Sequence, residues 1–202
     1  MTVASSSVSQ VAPHRFGLWI ILAAQLMLQM DFLIVLVALP QIQADLGFSA
    51  AGLSWVPNAF ALAFGGLLLL GGRLGDMIGQ VCAFKIGLAV FTLASLLGGI
   101  ADSAALLIAA RVLQGMGAAL AGPSVLALIA VTARDDAERQ RGLSMFIAVS
   151  AIGSSSGLLL GGVLTELLSW RWSLLINVPV GIAVIAVDVT PVSHPAITRV
   201  LW

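Results

Sequence analysis

Apolar residues run along this chain in six long blocks separated by short polar stretches: Phe16–Leu39, Leu53–Leu70, Ala83–Ala101, Ala104–Val131, Gly142–Leu164 and Leu174–Val187. The first covers 24 residues, about 36 Å of helix at ~1.5 Å per residue, enough to cross a hydrocarbon core of ~30 Å with some tilt. The fourth is longer still, and the sixth is the weakest. The first block is too long for a signal-peptide core. Met1–His14 ahead of it is rich in Ser and Val, with no basic cluster and no small-residue cleavage site, so the block reads as a retained helix. The pattern predicts an all-α membrane protein of six transmembrane helices. Residues 1–15 form a cytoplasmic tail, 16–187 the bundle and 188–202 a short atypical tail.

Composition agrees that the solvent is a bilayer. Charged residues make up 9% of the chain against about 25% in an ordinary soluble domain, hydrophobic residues make up 60%, and the mean hydropathy is +1.10. A soluble globule of this size has too little polar surface here to cover itself. Nine basic and nine acidic residues cancel, so nothing points to a nucleic-acid partner. The single cysteine, Cys82, rules out an internal disulfide framework and a cysteine-rich metal site, and no metal or cofactor is expected. His14 and His194 lie near opposite ends of the chain.

With the N-terminus in the cytoplasm, Arg15, Arg73, Lys85, Arg134, Arg139, Arg141 and Arg199 all fall on the cytoplasmic side, leaving Arg171 outside and Arg111 in the membrane. This positive-inside bias predicts that both termini are cytoplasmic. Asp31 and Arg111 are the ionisable residues set well inside apolar blocks, where a charge costs several kcal/mol and is usually kept for a reason. Asp31 lies about 12 Å below the outer end of the first helix and Arg111 about 10 Å below that of the fourth, so they meet if those helices are neighbours. Two readings remain. In one the pair is structural, or Arg111 snorkels alone to the outer headgroups. In the other Asp31 takes up and releases a proton, burial opposing its charge and Arg111 favouring it, so that substrate or a conformational change tips the balance.

Other polar and small residues add to this. Gly72, Leu74, Asp76 and Gly79, with Lys85 further on, mark the segment between the second and third helices; G-x-L-x-D-x-x-G reads as a short turn whose carboxylate caps a helix or holds a neighbouring basic group. Gly153, Gly157 and Gly161 share one helix face, with Gly162 beside them, as a packing seam or a hinge. Ser154, Ser155 and Ser156 can bond back to their own helix. Gly122-Pro123 invites a kink in the fourth helix. The string Gly153-Ser154-Ser155-Ser156-Gly157 also fits the G-x-S-x-G of serine hydrolases. That string works at a strand-to-helix elbow beside a histidine, so an intramembrane hydrolase is set aside and no enzyme is expected. Arg134, Asp135, Asp136, Glu138, Arg139 and Arg141 read first as a solvated loop.

As a set, these segments resemble the major facilitator superfamily, in its fourteen-helix drug:proton antiporter branch. Gly72–Lys85 is similar to the family's cytoplasmic signature, with Met77, Gln80 and Val81 where basic residues are usual. Met30-Asp31 with Val37-Ala38-Leu39-Pro40 and Ile42 resembles the first-helix signature, Leu33 and Leu36 replacing a common Thr and Asn. Arg111, Gln114, Gly115 and Gly117 are similar to the fourth-helix motif, whose arginine the family links to proton coupling. Gly153, Gly157, Gly161 and Gly162 resemble the fifth-helix antiporter motif, with Leu158 for the usual Pro. Trp170-Arg171-Trp172 and Ile176-Asn177-Val178-Pro179-Val180-Gly181 resemble the start of the sixth helix.

The resemblance implies a multi-pass plasma-membrane exporter of lipophilic, often cationic drugs, including antibiotics, driven by the proton gradient without a cofactor. Asp31 and Arg111 would be its coupling pair, and an acidic Asp31 in the cavity would attract a cation. It implies a cytoplasmic gate that joins Glu138 or Arg141 to the Gly72–Lys85 segment. It also implies two six-helix halves around a central cavity, of which this chain supplies the N-terminal one. The facing wall would come from a C-terminal half or a second copy. A truncated or frame-shifted product that inserts without transporting, as a membrane fragment or interaction module, is the alternative, because Asp188–Pro195 does not resemble the linker expected after the sixth helix.

Overall fold

The computed structural model describes residues 12–187. These residues form helices and no strand: α1 (Ala12–Leu46), α2 (Ala50–Leu53), α3 (Trp55–Ile78), α4 (Gln80–Gly99), α5 (Ala104–Thr132), α6 (Asp136–Leu167), α7 (Arg171–Leu175) and α8 (Asn177–Ala186). Within them, Gly17–Leu46, Ala50–Ile78, Gln80–Gly99, Ala104–Thr132 and Asp136–Leu167 are long and apolar enough to cross a membrane, while Arg171–Ala186 is shorter. The remainder of both predicted tails, with His194 and Arg199, lies outside the described residues.

The helices overrun the apolar blocks, because backbone hydrogen bonding does not stop where hydrocarbon stops. α1 begins at Ala12, inside the predicted tail, and passes through Pro40 to Leu46. Proline removes one donor there, and the following turn re-forms. The predicted turn over Gly71–Lys85 is also helical. α3 continues to Ile78, and the chain reverses on Gly79 alone, whose φ of 92° suits a residue without a Cβ. Pro123 likewise lies within an unbroken α5. The sixth block is divided at Ile176 into α7 and α8. Pro179 sits in the first turn of α8, where a missing N–H costs nothing.

Glycine seams set the packing. A Cβ on Gly153, Gly157 or Gly161 would lie 3.0, 2.7 and 2.9 Å from the carbonyl oxygens of Leu26, Met30 and Ile34, so α6 lies parallel to α1 with backbones almost touching. Gly115 meets the Phe60 carbonyl of α3, while Gly117 meets the Gly87 carbonyl of α4, which wedges α5 between those two helices. Gly71 covers the Ala119 carbonyl, the group that Pro123 leaves without its helical donor. α8 closes antiparallel onto α4, with Gly181 against Thr92. Gly162 faces open space, so it stands apart from the seam of its three neighbours.

These directions put Arg73 and Lys85 at the same end of the bundle as Arg134, Arg139 and Arg141, and Arg171 at the other. One substitution should therefore act with opposite signs along α6. Gly157→Ala drives a methyl into the Met30 backbone and should cost about 1–3 kcal/mol, whereas Gly162→Ala should be neutral or stabilise by up to about 1 kcal/mol. Thermal unfolding of the two variants in detergent measures the difference.

Candidate functional site

Four helices each bring polar side chains to one point inside the bundle. Asp31 of α1 and Arg111 of α5 are both 0% exposed, and Arg111 Nη1 donates to Asp31 Oδ2 at 2.6 Å. Gln114, one turn beyond Arg111, accepts from Arg111 Nη1 at 2.8 Å; its Nε2 donates to Asp31 Oδ1 at 3.1 Å and to Ser95 Oγ of α4 at 2.8 Å. Asn177 Nδ2 of α8 donates to Asp31 Oδ1 at 2.6 Å and to Ser95 Oγ at 3.4 Å. The Ser95 hydroxyl itself donates a hydrogen bond to the Phe91 carbonyl. Asp31 thus accepts three hydrogen bonds in place of the water it loses on burial, the condition under which a buried ion pair is tolerated.

α3 completes the cage around the cation. Arg111 Nε donates to the Val56 carbonyl at 3.3 Å, and the guanidinium lies 4.5 Å from the centroid of the Phe60 ring. Arg111 Nη2, Asn177 Oδ1 and Ser173 Oγ are buried without a hydrogen-bond partner among the described residues.

Beside this network runs a groove of about 900 Å³, walled by α1, α3, α5 and α6. Phe32, Phe60 and Phe64 form a ladder along it, with centroids 5.8 and 6.1 Å apart and the second pair stacked. Its polar side chains are Gln25, Gln29 and Ser150, and Gln25 Nε2 donates to Ser150 Oγ at 3.0 Å. Neither Asp31 nor Arg111 lines it. The expectation of a carboxylate facing the cavity is therefore corrected: Asp31 points to α5 and α8, where its hydrogen-bond donors are. The aromatic wall, which the sequence did not disclose, takes its place.

The remaining predicted residues lie elsewhere. Gly72, Leu74 and Asp76 occupy the last turns of α3, and Lys85 the start of α4. Asp76 caps no helix; its Oδ1 accepts from Gln80 Nε2 at 2.9 Å across the Gly79 reversal. Glu138 Oε2 accepts from the Arg134 N–H, and Asp135 Oδ1 from the Glu138 N–H, a reciprocal cap that starts α6. At the opposite end, Asp45 Oδ2 accepts from Arg171 Nη1 at 2.5 Å and from Trp170 Nε1 at 2.9 Å. Arg171 Nη2 also reaches the Ala101 carbonyl, which fastens α1 and the α4–α5 turn to the start of α7. Trp172 points outward. Ser155 Oγ donates to the Ala151 carbonyl in mid-helix, not at a strand-to-helix elbow.

The family model described as Major Facilitator Superfamily matches residues 21–199. The chain belongs to the major facilitator superfamily. Among curated relatives, the cephamycin export protein CmcT of Amycolatopsis lactamdurans is 51% identical over 162 residues, covering 80% of this chain and 33% of that protein. The puromycin resistance protein pur8 of Streptomyces alboniger is 48% identical over 171 residues, 84% of this chain and 34% of that protein. The methylenomycin A resistance protein of Bacillus subtilis is 40% identical over 158 residues, 78% and 34% respectively. The chain spans about a third of the length of the curated relatives it matches.

In major facilitator terms, the six apolar segments form an N-terminal bundle of a multi-pass membrane protein, and the matched motifs contribute unequally to the site. Arg111, Gln114 and Asn177 converge on Asp31, whereas Gly115 and Gly117 act through backbone packing. Ser95 and Phe60 went unnoticed in the sequence. The only signal for Ser95 is a hydroxyl within an apolar block, and Phe60 carries none. Arg111→Met should cost about 3–5 kcal/mol by leaving a buried carboxylate uncompensated, and adding Asp31→Asn should recover most of that loss. Detergent unfolding of both variants decides; a double variant no more stable than Arg111→Met would refute a charge-pair origin.

Proposed function

We propose that this chain forms one half of a proton-coupled exporter of drugs or other small lipophilic molecules in the cell membrane, with Asp31 carrying the proton and Arg111 as its counter-charge. The observation that carries the reading is the buried pair itself: an ionisable group sealed from water and held by four helices, yet one side chain away from an apolar groove. A charge in that position ties its protonation to the arrangement of the helices. Asn177 suits both protonation states. Its Nδ2 serves the carboxylate, and half a turn of the amide presents Oδ1, now without a partner, to a protonated Asp31.

The cationic end formed by Arg73, Lys85, Arg134, Arg139 and Arg141 supports a cytoplasmic placement of both termini. The proton gradient is the energy source and no cofactor is called for. The partners are the bilayer, protons and a small-molecule substrate, and the names of the relatives, which speak of export and antibiotic resistance, support that class. The groove is the wall against which a facing half closes, by rocking of one bundle on the other. A second reading rests on length: spanning about a third of its relatives, the chain transports only when a C-terminal half or a second copy covers the groove.

Acid-driven dye efflux from vesicles tests both readings, with insertion followed by membrane fractionation. Asp31→Asn should insert normally and lose gradient-dependent efflux at least tenfold, a loss of about 1.4 kcal/mol or more. Unchanged coupling in that variant would sink the proton-carrier role. Efflux that appears only when a facing half is co-expressed would establish the second reading.

A further inference from the structure

We propose that Phe60 is the positioning residue through which occupancy of the groove reaches the Asp31–Arg111 pair. The inference rests on the reading above, in which the groove takes the substrate and Asp31 the proton. Groove and pair share no charged side chain, since neither Asp31 nor Arg111 lines the groove. Phe60 belongs to both. Its ring lies 4.5 Å from the Arg111 guanidinium, stacks on Phe64 and tilts against Phe32, while the same side chain forms part of the groove wall.

Part of the guanidinium's hydrogen-bonding capacity is uncommitted. Nη1 is committed to Asp31 and Gln114, Nε makes a long bond to Val56, and Nη2 has no partner. The Phe60 ring is therefore much of what covers its α3 side. An uncharged planar aromatic molecule stacked in the ladder competes with Arg111 for that ring. As the ring turns toward the ligand, Arg111 is left with the Asp31 carboxylate as its main counter-charge. If Asp31 is protonated, its O–H bond breaks, the electron pair stays on the carboxylate, and the proton leaves to water in the helix arrangement that opens Asp31, which is sealed in the one described here. Ligand entry and proton release are thereby coupled without a shared site. Of the elements around Asp31, α5 brings Arg111 and Gln114, α4 Ser95 and α8 Asn177, while α6 meets α1 through glycines. Arg111 is the charged group that faces it.

The test uses the full chain in lipid nanodiscs with the uncharged fluorophore N-phenyl-1-naphthylamine, empty discs giving the background. For the wild type, Kd should fall about tenfold from acid to alkaline pH, the scale of a desolvated cation–π contact, and binding should release protons to a pH dye in weakly buffered solution. Phe60→Leu should bring the acid-to-alkaline ratio of Kd to about one and abolish proton release, whatever its effect on Kd itself. Phe60→Met should repeat that result, and Phe60→Tyr should restore the ratio. Phe64→Leu should weaken binding and keep it. A wild-type ratio in folded Phe60→Leu and Phe60→Met would overturn the relay. A wild-type ratio in Asp31→Asn would overturn the proton-carrier reading instead, and no binding to the wild-type chain would overturn the groove as the ligand site and the relay with it.

Discussion

A carboxylate and a guanidinium buried together inside a membrane bundle set the terms for everything around them. Neither ion is tolerated there unless its hydrogen-bonding capacity is met by the protein. The donors must therefore come from whatever helices pass nearby, and they do: Gln114, Asn177 and Arg111 serve the carboxylate, and Ser95 steadies the two amides. Each of α1, α4, α5 and α8 is fixed in rotation by having to point one side chain at the same place. α3 is recruited too, through the Val56 carbonyl and the face of Phe60.

The glycine seams follow from the same demand. Short polar side chains such as Ser95 and Asn177 can join the network around Asp31 only if the helix axes come close, and helices come close where Cβ atoms are absent. Gly115 and Gly117, two positions apart and so on different faces of α5, let it approach α3 and α4 at once; Gly181 does the same for α8 on α4. α6 uses its own glycine row on the far side of α1 and brings no polar group to the pair, which leaves it free to form the groove's outer wall with Phe146 and Ser150.

Much of this was legible in the sequence, for definite reasons. Charges inside apolar blocks are rare enough to be noticed, and helix rise alone puts Asp31 and Arg111 at one depth. Glycines at a spacing of four declare a face. What was not legible divides by cause. Helix ends ran past the apolar blocks at Ala12, Leu46 and Ile78, because hydropathy reports the solvent and not the hydrogen bonding. Asp76 and Glu138 also serve local donors, Gln80 and the Arg134 N–H, and nothing in their sequence spacing declares those bonds. Ser95 looks like any hydroxyl bonded back to its own helix, as it partly is. A phenylalanine that lines a groove cannot be told from one that faces lipid until the neighbouring helix is in place, so the Phe32–Phe60–Phe64 ladder left no trace in the chain.

The separation of the groove from the ion pair also bears on how such a protein changes over generations. Leu28, Leu68 and Leu126 line the groove and make no hydrogen bond to Asp31, Arg111, Gln114, Ser95 or Asn177. Mutational drift can reshape that wall one residue at a time while the charged centre keeps every partner it has. The wall is thus free to change where the charged centre is not, and Phe60 marks the border between the two.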